Sequence, residues 1–170
     1  MSENASQQAL IELLCGKGAH ADPIASLQGI SVELASRQFA PYPQSISQIL
    51  SHMNYWMDYE LRRIGGENLP YPAHATESWP RQASPTNEVA WNQIVARFAA
   101  LIDEISAIAK SDSGLLNREV KATHASHNQI SGSVLAVLWQ IVAHNSYHLG
   151  QIVLLRRLLN DWPANAGDTW

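Results

Sequence analysis

Ala143-His144-Asn145-Ser146-Tyr147-His148-Leu149-Gly150-Gln151 lies near the middle of the last long apolar segment, and its reading decides both fold and site. On a helix, residues four apart share a face with Cβ atoms about 6 Å apart, a separation that one metal ion can bridge. Val134, Leu138, Ile141, His144 or Asn145, His148, Ile152, Leu155 and Leu159 form a continuous 3.6-period stripe. Both imidazoles therefore fall on the face predicted to turn inward. They could be core histidines, each hydrogen-bonded to a neighbour, or a ligand pair. Two buried imidazoles need two sets of partners, whereas one cation satisfies both, so ligation is favoured. A third ligand elsewhere decides between the two readings.

Working outward, this last helix is predicted from near Gly132 to about Asn160, before Trp162-Pro163. Ser45-Ile46-Ser47-Gln48 has capping-box spacing and starts another helix. Ile46, Ile49, Leu50, Met53, Trp56, Met57, Leu61 and Ile64 supply its inward face, and Gly65-Gly66 supplies the stop. Ser84-Pro85 predicts a third start, with Trp91, Ile94, Phe98, Leu101, Ile105 and Ile108 on one stripe ending at Lys110. Between these two helices, the prolines at 70, 72, 80 and 85 prevent any long helix. This stretch reads as a crossover loop of roughly twenty residues, a length usually kept for function or topology. Trp79 is expected to pack over the bundle from this loop.

At the N-terminus, residues 4 to 15 predict a short helix broken by Gly16-Lys17-Gly18. Asp22-Pro23 reads as an N-cap and a first-turn proline, leading Ile24, Leu27, Ile30 and Leu34 into the first bundle helix. The stretch Leu115 to Ser133 is polar and mixed, with Asn117 to Lys121 extended or turn-like, and no strand shows clear alternation. The expectation is an all-α fold over residues 1–170: one domain, a four-helix bundle with a short extra N-terminal helix.

Composition narrows the function classes. The 170 residues are 46% hydrophobic, enough for one substantial core. A net charge of −4 without a clustered basic face argues against nucleic acid, and Arg156-Arg157 reads as a solvated flank of the last helix. Cys15 is the sole cysteine, which excludes an intramolecular disulfide and a thiolate-built zinc site. A buried, unreactive role is expected for it, in a reducing cytoplasmic setting. No apolar run approaches the ~20 residues of a membrane span, and no basic n-region opens the chain.

The other histidine on an inward face of a long helix is His52, one turn after Ile49. His52, His144 and His148 together would bind a borderline divalent cation such as zinc or nickel, with open positions left over. An open sphere means Lewis-acid chemistry on water or a thiolate substrate. His74 sits in the crossover loop and His124 and His127 in the polar stretch, all expected at the surface. His20, ahead of the first bundle helix, is expected to cap or face solvent rather than ligate. No motif marks a general base; Glu60, two turns after His52, reads as a surface charge before it reads as a base.

These residues resemble the DinB family in its broad sense, including the YfiT-like metal-dependent hydrolases. The likeness covers most of the chain. It runs through Gly18-Ala19-His20-Ala21-Asp22-Pro23, Ser45 to His52 with Trp56, Glu77-Ser78-Trp79-Pro80, Trp91 and His144 to Gln151. It implies an up-down-down-up four-helix bundle, often a homodimer. It also implies a divalent metal on one histidine near the start of the second helix and two from the fourth, falling here on His52, His144 and His148. Characterised relatives use low-molecular-weight thiols such as bacillithiol or mycothiol. The resemblance thus implies a thiol-dependent S-transferase or a hydrolase acting on a small molecule, with a thiol as cosubstrate. The family's name records induction by DNA damage, which describes expression and not DNA binding. A different class of reading is a bundle that uses its metal structurally, or binds a small ligand or partner, without catalysis.

Overall fold

The computed structural model describes residues 3–80, 85–121 and 132–163. It is mostly helical: α1 Glu3–Leu14, α2 Val32–Ser36, α3 Ile46–Ile64, α4 Glu88–Ala109, α5 Ser113–Leu116 and α6 Val134–Leu158. Two 3-10 turns, Ala25–Leu27 and Ala75–Ser78, lie in the connections. A two-residue antiparallel ladder, β1 Glu119–Val120 with β2 Gly132–Ser133, pairs Glu119 with Ser133. β1 falls within Asn117 to Lys121, the stretch expected to be extended or turn-like; the ladder is too short to carry an alternating pattern, and it brings the chain back to the start of α6.

The starts of the long helices follow from local chemistry. Ser45 Oγ accepts the Gln48 amide and Gln48 Oε1 accepts the Ser45 amide, closing the predicted capping box on α3. Ser133 Oγ accepts the Ala136 amide at the head of α6. For α4 the cap is Asn87, whose Oδ1 accepts the Ala90 amide. The helix therefore begins at Glu88, three residues after Pro85, and Ser84 lies outside the described residues.

The predicted first bundle helix is corrected. Asp22 does cap, with Oδ1 accepting the Ala25 amide at 2.8 Å, but only a single 3-10 turn follows. Gln28 turns extended and Gly29 takes φ +73°, a left-handed conformation that ends the helix. Ser31 then caps the five-residue α2. The apolar stripe still marks burial, since Leu27 and Ile30 are buried, and buried Trp91 donates its indole N–H to the Ile30 carbonyl at 2.8 Å. The helix that packs on α4 and α6 is instead α1, the one expected to be a short extra.

α3 packs most extensively, against both α4 and α6. Asn54 bonds the Ile94 carbonyl and Arg97 pairs with Asp58, so positions along α3 and α4 advance together. His52 meets His148, while Met57 and Glu60, further along α3, line a cavity with Gln140, earlier on α6, so positions along α3 and α6 run in opposite senses. Leu10, Leu50, Met53, Phe98, Leu101, Leu138 and Ile152 fill the common core. Leu149 is buried beside Leu13 and Leu14 of α1. No described helix is long and apolar enough to cross a membrane.

Arg156 and Cys15 sit where sequence reading does not put them. Arg156 is buried, and its guanidinium bonds the carbonyls of Ser26 and Gln28 and the side chain of Asp161. It is a tie between the 3-10 turn and the end of α6, not a solvated flank. Cys15 is exposed in the turn after α1 rather than buried.

Candidate metal centre

α3 and α6 bring three imidazoles together. One ring nitrogen from each of His52, His144 and His148 lies within 4.8 Å of the others, and the ring centroids are 4.5 to 5.2 Å apart. His52 and His148 are buried and His144 is half-buried. The four-residue spacing on α6 and the inward position of His52 on α3 suffice to bring them together.

Neighbours fix how each ring presents itself. The Ser78 carbonyl lies 3.2 Å from His52 Nδ1 and can only accept, so Nδ1 carries the proton and Nε2 keeps a bare lone pair. Gln151 Oε1, 2.7 Å from His148 Nδ1, does the same for that ring. His52 Nε2 and His144 Nε2 then stand 3.3 Å apart. Two nitrogens on one tetrahedral zinc, each at about 2.0–2.1 Å, are about 3.3–3.4 Å apart. The donor set and its spacing fit a small divalent cation.

Electrostatics point the same way. Burial, then repulsion from His148, lowers His52 to a pKa of about 4. Burial and both neighbouring histidines lower His144 to about 3. Burial also lowers His148, partly offset by Gln151. At neutral pH all three are uncharged bases, the state a cation needs.

The crossover loop closes over this cluster. Trp79 stacks on His52 with centroids 3.9 Å apart and planes 8° from parallel. Its predicted packing role is thus specific: it covers a candidate ligand. His20 does not join the three histidines. Its Nδ1 faces the Ala21 carbonyl and its Nε2 lies 3.0 Å from Ser146 Oγ, tying the preceding turn to α6 between His144 and His148. Gly16 permits that tie, because a Cβ there would lie 2.6 Å from the Ala21 and His20 carbonyl oxygens. His74 is exposed, as expected, and His124 and His127 lie outside the described residues.

Glu60 is a correction. It is buried, not a surface charge, and its Oε2 receives Arg63 Nε at 2.7 Å and Nη2 at 2.5 Å. It lines a cavity of about 250 Å³ with Trp56, Met57, Tyr71, Gln140 and His144. The signal lies in the spacing: Glu60 is eight residues after His52 and Gln140 four before His144, each on the face that carries a candidate ligand. Gln151 carries a comparable signal, three residues after His148 on the same helix face, whereas Ser78, in the crossover loop, carries none.

The family model of the DinB superfamily matches residues 19–152, a span that contains all three histidines and the crossover loop. No protein of curated function matches the chain.

Proposed function

The chain belongs to the DinB superfamily, and from that premise we propose a divalent-metal-dependent enzyme acting on a small molecule, with His52, His144 and His148 as ligands. The observation that carries the reading is the 3.3 Å approach of His52 Nε2 to His144 Nε2, with the His52 proton held on the opposite nitrogen by Ser78. Metal-free, that approach needs a proton on His144 Nε2; a cation replaces the proton and engages both lone pairs at once.

Zinc and nickel both suit imidazole donors. Three side-chain ligands leave open positions, where the ion would supply Lewis acidity to a thiol or water. That chemistry fits an S-transferase with a low-molecular-weight thiol cosubstrate, or a hydrolase. The competing reading, a structural metal in a ligand-binding bundle, would favour a closed site with a fourth protein ligand, and the described cluster has three.

The surroundings of the site fit the rest of the proposal. The matched advance of α3 and α4 and the opposed sense of α6 support an up-down-down-up four-helix bundle built on α1, α3, α4 and α6. Tyr147, Leu154 and Leu158 form an exposed apolar row on α6 that gives a homodimer a contact face. An exposed lone thiol at Cys15 suits a reducing cytoplasm.

The test is metal content after purification without an affinity tag, in wild type and in His148→Ala. Stoichiometric divalent metal in the first and its loss in the second are expected; absence of metal from both ends the proposal. A cobalt-substituted sample then separates the chemistries. A spectrum that no thiol changes removes the thiol-dependent version and leaves the metal site standing.

A further inference from the structure

The cavity beside the histidine cluster has its own chemistry. Its polar lining, apart from His144, is Glu60 and Gln140 with the phenol of Tyr71, and its walls include the rings of Trp56 and Tyr71, 5.5 Å apart. Glu60 faces the cavity while Arg63 balances its charge from behind, held in turn by the Lys121 carbonyl. An anion entering would meet a carboxylate. A donor would meet an acceptor already stabilised in place.

Gln140 adds a second acceptor. Its Oε1 is buried without a hydrogen-bond partner among the described residues, a state that costs free energy until a donor arrives. The adjoining rings of Trp56 and Tyr71 make one aromatic wall, which favours a cationic donor over a neutral one. At about 250 Å³ the cavity lies at the small end of ligand pockets. Along the helix axes, Gln140 is about 6 Å from His144 and Glu60 about 12 Å from His52.

We propose that this cavity binds the primary ammonium group of a small elongated molecule, held by Glu60 and Gln140 against the aromatic wall of Trp56 and Tyr71. The other end of that molecule reaches the histidine cluster. The placement of the reacting end rests on the metal-site reading; recognition of the amine does not.

The experiment uses the full chain, metal-free and zinc-loaded, titrated calorimetrically with phenethylamine, 2-phenylethanol and 3-phenylpropionate. Phenethylamine is expected to bind both forms, about tenfold or more tighter than the alcohol, as one charge-assisted hydrogen bond implies. The carboxylate is expected not to bind. Glu60→Gln should weaken the amine about tenfold on the same grounds. Should that variant fail to fold because Arg63 is stranded, Gln140→Leu and Gln140→Glu carry the test, the first weakening and the second tightening the amine. No amine binding, equal binding of the carboxylate, or indifference to the variants overturns the inference. So does amine binding confined to the zinc-loaded protein, which would place the nitrogen on the metal. Amine binding by a wild-type protein that takes up no zinc would instead refute the metal reading alone.

Discussion

Trp79 lies flat on His52, its ring centroid 3.9 Å from the imidazole, while the carbonyl of the preceding residue, Ser78, accepts the Nδ1 proton of that imidazole. Two consecutive residues of the crossover loop thus set both the tautomer and the tilt of one candidate ligand. Outer partners of this kind typically change metal affinity by about 10–100-fold. Trp79→Ala is therefore expected to weaken zinc binding about tenfold while the helices stay folded, and Trp79→Phe to keep most of the affinity. Competition against a chromophoric chelator measures this. Unchanged affinity in Trp79→Ala would reduce the stack to packing.

The depressed histidines give zinc binding an unusual pH profile. Ordinary imidazoles, with pKa near 6.5, compete with the metal for protons as pH falls below that value. His52 at about 4 and His144 at about 3 remain unprotonated well below it. Affinity should accordingly stay nearly flat from pH 7.5 to about 5.5, and a steep loss beginning near 6.5 would contradict the buried geometry.

Stability of the metal-free protein follows the opposite rule over the same range. The unfolded chain takes up protons on these histidines near pH 6.5, but the folded chain does so only near 4 and below for His52 and His144. Between those values the unfolded state binds more protons, so stability falls as pH falls. Denaturant midpoints of metal-free wild type should drop from pH 7 to 5, and the drop should be smaller in His144→Leu.

Much of the site is written in local signals. The Ser45 capping box, the 3.6-period stripe and the His144–His148 spacing each depend on residues close in sequence, and each has its counterpart in α3 or α6. The region from Ile24 to Ser36 is different. A glycine inside a helical period is tolerated in many helices, but here Gly29 takes φ +73° and α1 holds the place on α4 and α6 expected for this segment, neither of which the local sequence announces. Arg156 is similar: its acceptors on Ser26 and Gln28 lie 130 and 128 residues away, so nothing nearby announces its burial. Glu60 stands on a legible face, eight residues after His52, and its charge, which favours the surface, is met in the interior by Arg63.

Arg156 supplies a further test. It satisfies two carbonyls of a non-helical turn and pairs with Asp161 at 2.6 Å. Arg156→Met keeps the aliphatic volume and removes every donor, leaving buried carbonyls unmet. A loss of about 2–4 kcal/mol in chemical denaturation is expected, with the metal site unaffected because the tie lies two turns beyond His148.

The Glu60–Arg63 pair separates stability from recognition. Both side chains are almost fully buried, so removing the cation leaves a carboxylate in a poorly solvated place, typically at a cost of about 3–5 kcal/mol. Arg63→Met is expected to fall in that range at pH 7. Burial already raises the Glu60 pKa against the opposing effect of Arg63, and without Arg63 it rises further. A folded-state pKa above the unfolded value means stability is present at low pH and lost as pH rises through the folded value. The deficit of Arg63→Met relative to wild type should therefore shrink between pH 7 and 5. Adding Glu60→Leu, which removes the stranded charge, should recover most of the loss at pH 7 while leaving the cavity without its carboxylate. A deficit independent of pH, or a double variant no more stable than Arg63→Met, would mean that the pair stabilises through packing rather than charge.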